Sequence, residues 1–205
     1  MTINLPKDWT AVTVRQYQAL QSIFANKEAD VYAKNLAIIS ALSGVKVDDL
    51  HGLSLKSYTK VMNVLGYLNE EIENKLTRKF KLNGKRYKMF TDLYELNGGQ
   101  YITLMHLLKE QDATVANLHQ IMAVFCAPWR KRFLWVGEYK YTGDDFEQIA
   151  KEMLDLPVSV AYPLANFFLF NSAKLEKATL ESSVSKLKKL MREKKSARTK
   201  AVSDG

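Results

Sequence analysis

The chain of 205 residues has one cysteine, Cys126, so it contains neither an internal disulfide framework nor an all-cysteine metal site. It has no run of about 18 consecutive apolar residues, the length that spans a bilayer. The richest apolar run, 158–170, is interrupted by Ser159, Pro163 and Asn166. The N-terminus has no basic segment followed by an apolar stretch, so it does not resemble a signal peptide. These absences predict a protein that is made in the cytoplasm and does not enter a membrane.

Common catalytic signatures are also absent: the sequence has no phosphate-binding loop, dinucleotide fingerprint, zinc-protease motif or hydrolase elbow. His106, His119 and Cys126 can in principle converge on a metal, but their spacing matches no ligand pattern. The adjacent carboxylate pairs fall near predicted helix ends, and neighbours in sequence do not face each other on a helix. We therefore expect no catalytic residues, no cofactor and no metal, and a protein that is not an enzyme.

Apolar residues make up 47% of the chain, which is typical of a globular protein. Many of them recur at helical spacing between short polar loops, and this pattern predicts a mainly α-helical, compact bundle. Further helices are expected at 100–110 with Tyr101 facing inward, at 114–127, after a cap at Asp144, and at 158–171 in the core. The predicted boundaries near the N-terminus are a capping box of Thr13 and Gln16, N-caps at Asp30 and Ser54, and a helix stop at Gly44.

One small β-hairpin is predicted at about 79–90, where Asn83-Gly84 is the preferred pair for a two-residue type I′ turn. This turn would set Leu82 opposite Lys85. Strand alternation then separates an apolar face from a basic one. The apolar face consists of Phe80, Leu82, Tyr87 and Met89. The basic face consists of Lys79, Lys81, Arg86 and Lys88.

A second basic cluster follows in the segment 128–143, which we interpret as a long loop or a small irregular hairpin. The cluster is Arg130, Lys131 and Arg132, with the aromatic residues Trp129, Phe133 and Trp135 around it. Together with the basic face of the hairpin, these residues could stack on bases or fill a pocket of a partner. The alternative is an ordinary solvated strand face and a loop held by tryptophan.

The net charge of +8 is concentrated at the C-terminus. Residues 186–200 contain eight basic residues and one acid, which gives +7 and leaves about +1 (8 − 7) for the rest. We predict a helical body at 1–172, with an N-terminal arm and the hairpin, and a basic amphipathic helix and mobile tail at 173–205. The predicted apolar seam of the tail is Leu180, Val184, Leu187 and Met191, and its basic residues include Lys186, Lys188, Lys189, Arg192, Lys194 and Lys195. This segment can remain solvated, bind protein or contact DNA.

Four stretches together resemble a protein family: INLPKDWTAVTVRQYQAL, the hairpin running into FTDLYELNGGQYITLMHLL, NLHQIMAVFCAPW, and LPVSVAYPLANFFLF. They are similar to small helical proteins found among the neck and tail genes of tailed bacteriophages, including crAss-like and other phages of Bacteroidota. The resemblance extends from about Ile3 to Phe170. It excludes the loop 130–143 and the tail after Asn171.

The resemblance implies a non-enzymatic role in the phage particle and supplies no catalytic residues. The expected role is a virion component of the neck, such as a connector ring, or of the tail. It would form a homo-oligomeric ring or multi-copy assembly with other phage structural proteins. One alternative is a tail-assembly chaperone that is absent from the mature virion. Another is a nucleic-acid-binding protein, although no helix combines an exposed basic face with helix-turn-helix spacing.

Overall fold

The computed structural model describes residues 3–108, 115–133 and 136–167, with only the backbone for 131–133, 136, 137 and 139. Contacts divide the chain into the units Met1–Ala165 and Asn166–Gly205. The first unit is mainly α-helical with a small antiparallel sheet, as the sequence predicts. The predicted C-terminal helix and tail, and the boundary after residue 172, lie outside the described residues.

Eight helices belong to the described part of this unit. Seven have the bounds α1 Val14–Ala25, α2 Val31–Ser43, α3 Val47–Leu50, α4 Leu55–Val64, α5 Gly98–Leu108, α6 Leu118–Phe125 and α7 Phe146–Met153. An eighth, α8, contributes residues 158–165. Short 3₁₀ helices cover Leu65–Asn69, Leu93–Glu95 and Gly143–Asp145. No helix in these described ranges is long and apolar enough to cross a bilayer.

The predicted helix boundaries near the N-terminus are confirmed. Thr13 and Gln16 form a reciprocal capping box at the start of α1. The carboxylate of Asp30 accepts a hydrogen bond from the backbone N–H of Ala33 at 2.9 Å. Such bonds satisfy the N–H groups of a first helical turn, which lack partners inside the helix. Gly44 ends α2 with a φ of 75°, a conformation that costs glycine nothing.

Helices α1, α2, α6, α7 and α8 each contribute buried side chains to the core. Its fully buried apolar side chains include Leu20, Leu36, Ile121, Met153 and Leu164. The prediction that the apolar helix from residue 158 lies in the core is therefore confirmed for residues 158–165, and residues 168–171 lie outside the described residues. The chain just before α1 also pairs with the connection between α7 and α8, since backbone bonds of 2.8 Å join residues 14 to 156 and 158 to 12. Segments far apart in sequence are thereby held side by side.

The sheet has four antiparallel strands in the order β1-β2-β3-β4: β1 Lys79–Leu82, β2 Lys85–Met89, β3 Cys126–Phe133 and β4 Val136–Tyr139. The predicted hairpin is β1–β2, and its register is confirmed, with Leu82 opposite Lys85 and Phe80 opposite Tyr87. Asn83 and Gly84 both have positive φ, as a type I′ turn requires. Within the predicted segment 128–143, β3 and β4 pair as an irregular hairpin, with a register shift between Lys131 and Phe133.

The predicted helix at 114–127 is wrong at both of its ends. In the structure, α6 begins at Leu118 and ends at Phe125, and β3 follows directly at Cys126. At the C-terminal end the cause is Pro128, whose ring disfavours helical geometry at Ala127 and which itself has no N–H to donate. Cys126 is also extended, with φ −110° and ψ 129°, and pairs with Met89 of β2.

Two further predictions are wrong. Asp144 does not cap α7, because it lies inside the preceding 3₁₀ helix, and α7 begins after Asp145. Tyr101 does not face inward, since 45% of it is exposed. The residue of α5 that is buried instead is Gln100, whose side-chain N–H donates to the backbone oxygen of Val124 at 2.6 Å. This hydrogen bond satisfies the side-chain amide, so a polar residue can occupy a core position in place of an apolar one.

Candidate interaction surface

The hairpin β1–β2 presents its two faces to different surroundings, as the register requires. On the inner face, Leu82, Tyr87 and Met89 are buried. Phe80 stacks on Tyr87 with ring centroids 5.3 Å apart and planes 14° from parallel. The outer face is the basic face, and it consists of Lys79, Lys81, Arg86 and Lys88. All of these predicted site residues are therefore brought together on one side of two strands.

Like charges lie directly opposite each other on the basic face. Lys79 pairs in register with Lys88, and Lys81 pairs with Arg86. Opposed like charges destabilise a pair of strands by roughly 0.2–1 kcal/mol for each pair. Lys88 is partly compensated, because its ammonium lies 3.4 Å from the carboxylate of Glu95. Lys81 and Arg86 are both exposed and make no ion pair within the part of the chain that the structure describes.

The inner face of β2 is fastened to α7 through Glu152. The carboxylate of Glu152 accepts hydrogen bonds from the Nζ of Lys85 at 2.5 Å, from the hydroxyl of Tyr87 and from the amide of Gln148 at 3.1 Å. Burial alone would raise the pKa of Glu152, but these three donors outweigh it and hold the pKa below its ordinary value. Burial also raises the pKa of Tyr87, so its hydroxyl remains a donor. The basic face is thus presented on a strand fixed to the helical core.

The second predicted basic cluster is only partly a free surface. Trp129 has 37% of its area exposed. Arg130 makes an ion pair with Asp145, which also accepts a hydrogen bond from the hydroxyl of Thr142. The bond from Thr142 and then the guanidinium of Arg130 lower the pKa of Asp145. Arg130 therefore joins β3 to the start of α7, a structural role that the sequence analysis did not predict.

The structure does not describe the side chains of the other predicted site residues. Lys131 and Arg132 belong to β3, where only the backbone is described, and Trp135 lies outside the described residues. The whole tail set also lies outside them: Leu180, Val184, Leu187, Met191, Lys186, Lys188, Lys189, Arg192, Lys194 and Lys195. Their roles stay predictions.

The residues considered for a metal site have separate structural surroundings. Cys126 is fully buried in β3, and burial raises the pKa of its thiol. The Nδ1 of His119 lies 3.0 Å from the side-chain amide of Gln18, and burial lowers the pKa of His119. His106 is exposed on α5. Across residues 3–108, 115–133 and 136–167, no three His, Cys, Asp or Glu side chains come close enough together to hold a metal ion.

A surface that the sequence analysis missed lies between the N-terminal arm, residues 3–7, and the helix α4. It is an open groove of about 630 Å³ lined mainly by apolar side chains, with Lys7 and Lys60 beside them. Its volume is within the range of about 300–1,000 Å³ that is typical of ligand sites. Every residue of α4 is exposed or half-buried. No local sequence pattern indicated that the arm would lie beside this helix.

No protein-family model matches this chain, and neither a curated protein nor a solved structure has significant similarity to it.

Proposed function

We propose that this protein is a non-enzymatic structural component of a tailed bacteriophage, located in the neck or tail of the virion, where it binds other particle proteins. The main support from the structure is the basic face of β1–β2. It is a preformed, exposed surface of like charges on a strand that hydrogen bonds fix to the core. The phage assignment itself comes from the resemblance over residues 3–170.

Lys81 and Arg86 form the pair of opposed cations on this face that no described carboxylate compensates. Their mutual repulsion reduces the stability of the hairpin, and a nearby anionic group would relieve it. A carboxylate of a neighbouring protein would therefore gain attraction and remove repulsion at the same time. Electrostatic complementarity of this kind determines the orientation and the rate of association more than the affinity. Orientation is what a subunit of an ordered particle requires.

Mass spectrometry of purified phage particles, combined with the native mass of the isolated protein, tests the virion assignment. We expect the protein at a fixed stoichiometry in the particle. Its absence from particles, together with binding to an unassembled tail protein, would contradict the virion assignment and favour an assembly chaperone. The open apolar groove beside α4 favours this second candidate, because a chaperone needs a site for a segment of its client.

Charge reversal at the basic face tests how the protein binds. Lys81→Glu would place opposite charges across the strands, so we expect the isolated protein to be more stable by roughly 0.2–1 kcal/mol. Incorporation of this variant into particles should nevertheless fall. Lys27→Glu, an exposed reversal in the turn before α2, is the matched control and should leave incorporation unchanged. Normal incorporation of Lys81→Glu would show that the basic face is not a contact.

DNA binding is the remaining candidate, and the same cations favour it because they could contact successive phosphates. Titration of a fluorescent duplex at increasing salt separates it from protein binding. A steep loss of affinity with salt, reduced by Lys81→Glu, would support a DNA contact at the hairpin. If the salt dependence disappeared only on deletion of residues 186–205, the DNA contact would belong to the tail.

A further inference from the structure

The groove beside α4 has one wall from the N-terminal arm and one from the helix. Ile3 and Leu5 line the arm side, and Val61 and Val64 line the helix side. Val64 has 38% of its area exposed, although it is apolar. The groove is therefore an apolar surface that the described part of its own chain does not cover.

The arm that forms one wall is held in place by Trp9. Its indole N–H donates to the backbone oxygen of Glu70 at 2.9 Å. Its ring also makes edge contacts with Tyr17, at 6.0 Å between centroids, and with Tyr67, at 5.5 Å. These contacts fix the arm against α1 and against the 3₁₀ helix that follows α4. The groove is consequently preformed, which reduces the entropy lost when a ligand binds.

The charge of the groove indicates what it can bind. Lys7 and Lys60 are the charged residues among those that line it. Neither makes an ion pair within the described ranges. A matching ligand should therefore combine an apolar side chain with acidic groups beside it.

One segment of this same chain has that composition. Residues 70–76 read Glu-Glu-Ile-Glu-Asn-Lys-Leu, and Glu70, Glu71 and Glu73 are all exposed around Ile72. Residues 71–77 have no helical or strand structure, and their backbone makes no hydrogen bond to any described residue. Their N–H and C=O groups are free to pair with another chain, as in strand addition.

The segment cannot readily enter the groove of its own molecule. Its first residue is held by Trp9, and its far end leads to Arg78, the residue before β1, whose backbone oxygen accepts a hydrogen bond from the N–H of Met89 at 2.9 Å. Both bonds restrict how far the segment can move within its own molecule. A second copy can offer the same segment without breaking either.

We propose that the groove between the arm and α4 binds the acidic segment 70–76 of a second copy of this chain. Ile72 of one copy enters the apolar groove of the other, and Glu71 and Glu73 lie beside its Lys7 and Lys60. The inference deepens the proposed function, on which it rests for the expectation that copies of this protein associate. Reciprocal exchange of segments would close a dimer, and one-way exchange would build a ring where the rotation between copies closes.

The test uses the full-length protein and two double variants with reversed charges. Lys7→Glu/Lys60→Glu changes the groove, and Glu71→Lys/Glu73→Lys changes the segment. All four side chains are exposed, so both variants should fold, which circular dichroism checks. We expect sedimentation velocity to find concentration-dependent self-association of the wild type. Each variant should associate about tenfold or more weakly, because two attractions become two repulsions.

A mixture of the two variants identifies the occupant of the groove. The segment variant supplies an unaltered groove, and the groove variant supplies an unaltered segment that fits it. The altered groove and the altered segment also carry opposite charges, so we expect the mixture to associate. Lys27→Glu/Lys46→Glu is the control, because it reverses two exposed lysines that do not line the groove. It should associate as the wild type does.

Several outcomes would overturn the inference: a wild-type protein that stays monomeric, variants that associate normally, or a mixture that fails to recover. Weaker association of the groove variant alone would mean that the groove binds a different part of the second copy, and it would contradict the role of the segment 70–76. These measurements need only the isolated protein. Failure of the virion assignment is detected separately by mass spectrometry of particles, so the two proposals can fail independently.

Discussion

Replacing Glu152 with glutamine should destabilise the protein in a way that depends on pH. The substitution keeps the size of the side chain and removes its charge. Glu152 accepts a hydrogen bond from the hydroxyl of Tyr87, which is only 1% exposed, and a second one from Lys85 at 2.5 Å. These bonds join the sheet to α7, so their loss should weaken the packing of the two elements.

The magnitude follows from the exposure of each partner. A hydrogen bond to a charged group contributes about 1.5–3 kcal/mol, and the partly buried bond from Tyr87 to Glu152 is of this kind. The side chain of Lys85 is 49% exposed, and a solvated ion pair of this kind adds about 0–1 kcal/mol. The glutamine oxygen can still accept one bond, which recovers part of the loss. We therefore expect Glu152→Gln to cost about 2 kcal/mol at pH 7.

The sign of the pH dependence follows from the lowered pKa of Glu152. A carboxylate whose pKa is lower in the folded protein than in the unfolded protein stabilises the fold. This stabilisation is fully present at pH values above the pKa of the unfolded protein, which is 4.5 for this glutamate. This stabilisation is lost as the pH falls through the lower, folded value. The difference in the free energy of unfolding between the wild type and Glu152→Gln should therefore be largest near pH 7 and should shrink as the pH is lowered below 4.5.

Urea unfolding, followed by far-ultraviolet circular dichroism at several pH values, measures this difference. A double-mutant cycle with Tyr87→Phe should give a coupling energy of about 1 kcal/mol or more at pH 7. Glu28→Gln is the control, because Glu28 is exposed in the turn before α2, and it should change the stability by less than about 0.5 kcal/mol. A cost of Glu152→Gln that stayed constant down to the lowest pH at which the protein folds would refute the reasoning.

Three further substitutions test the capping, the polar burial and the core packing, each by urea unfolding at pH 7. Thr13→Ala removes the capping box with Gln16, so it should lower the free energy of unfolding by about 0.5–2 kcal/mol and reduce the helicity of α1. Gln100→Leu leaves the backbone oxygen of Val124 without its buried donor and should cost about 1–3 kcal/mol. Leu36→Ala empties a fully buried position in α2 and should cost about 2–5 kcal/mol, and a cost below 1 kcal/mol would contradict the assigned core.

The features that the sequence predicted correctly are determined by short-range interactions. The capping box joins residues three apart, and the register of β1–β2 is fixed by the two residues Asn83 and Gly84. Helix termini and tight turns restrict the backbone through nearby side chains and steric limits, so sequence patterns identify them. The position of the basic face follows directly from this register.

The features that were missed depend on pairings over long distances in sequence. The bonds from Lys85 and Tyr87 to Glu152 span 67 and 65 residues. The first two residues of β3, Cys126 and Ala127, are predicted as helix because the apolar run before Pro128 fits a buried helix and a buried strand equally well. The groove beside α4 was also missed, since it exists only because Trp9 holds the arm against the chain at Glu70. Local patterns do not contain this information.

The arrangement of charges on β2 connects the fold with the proposed binding role. Lys85 and Lys88 each have a carboxylate beside them, Glu152 and Glu95, although these acids lie in other elements of the fold. Arg86, between the two lysines, has no such acid in the described structure and lies opposite Lys81. Two of these three neighbouring cations are therefore stabilised by the fold, and the third is not. In natural proteins most local features agree with the fold as a whole, and exceptions are expected at functional positions. If the Lys81–Arg86 pair serves only solubility, glutamine at both positions should be tolerated in the particle; if it is a contact, the same change should reduce incorporation while the isolated protein becomes slightly more stable.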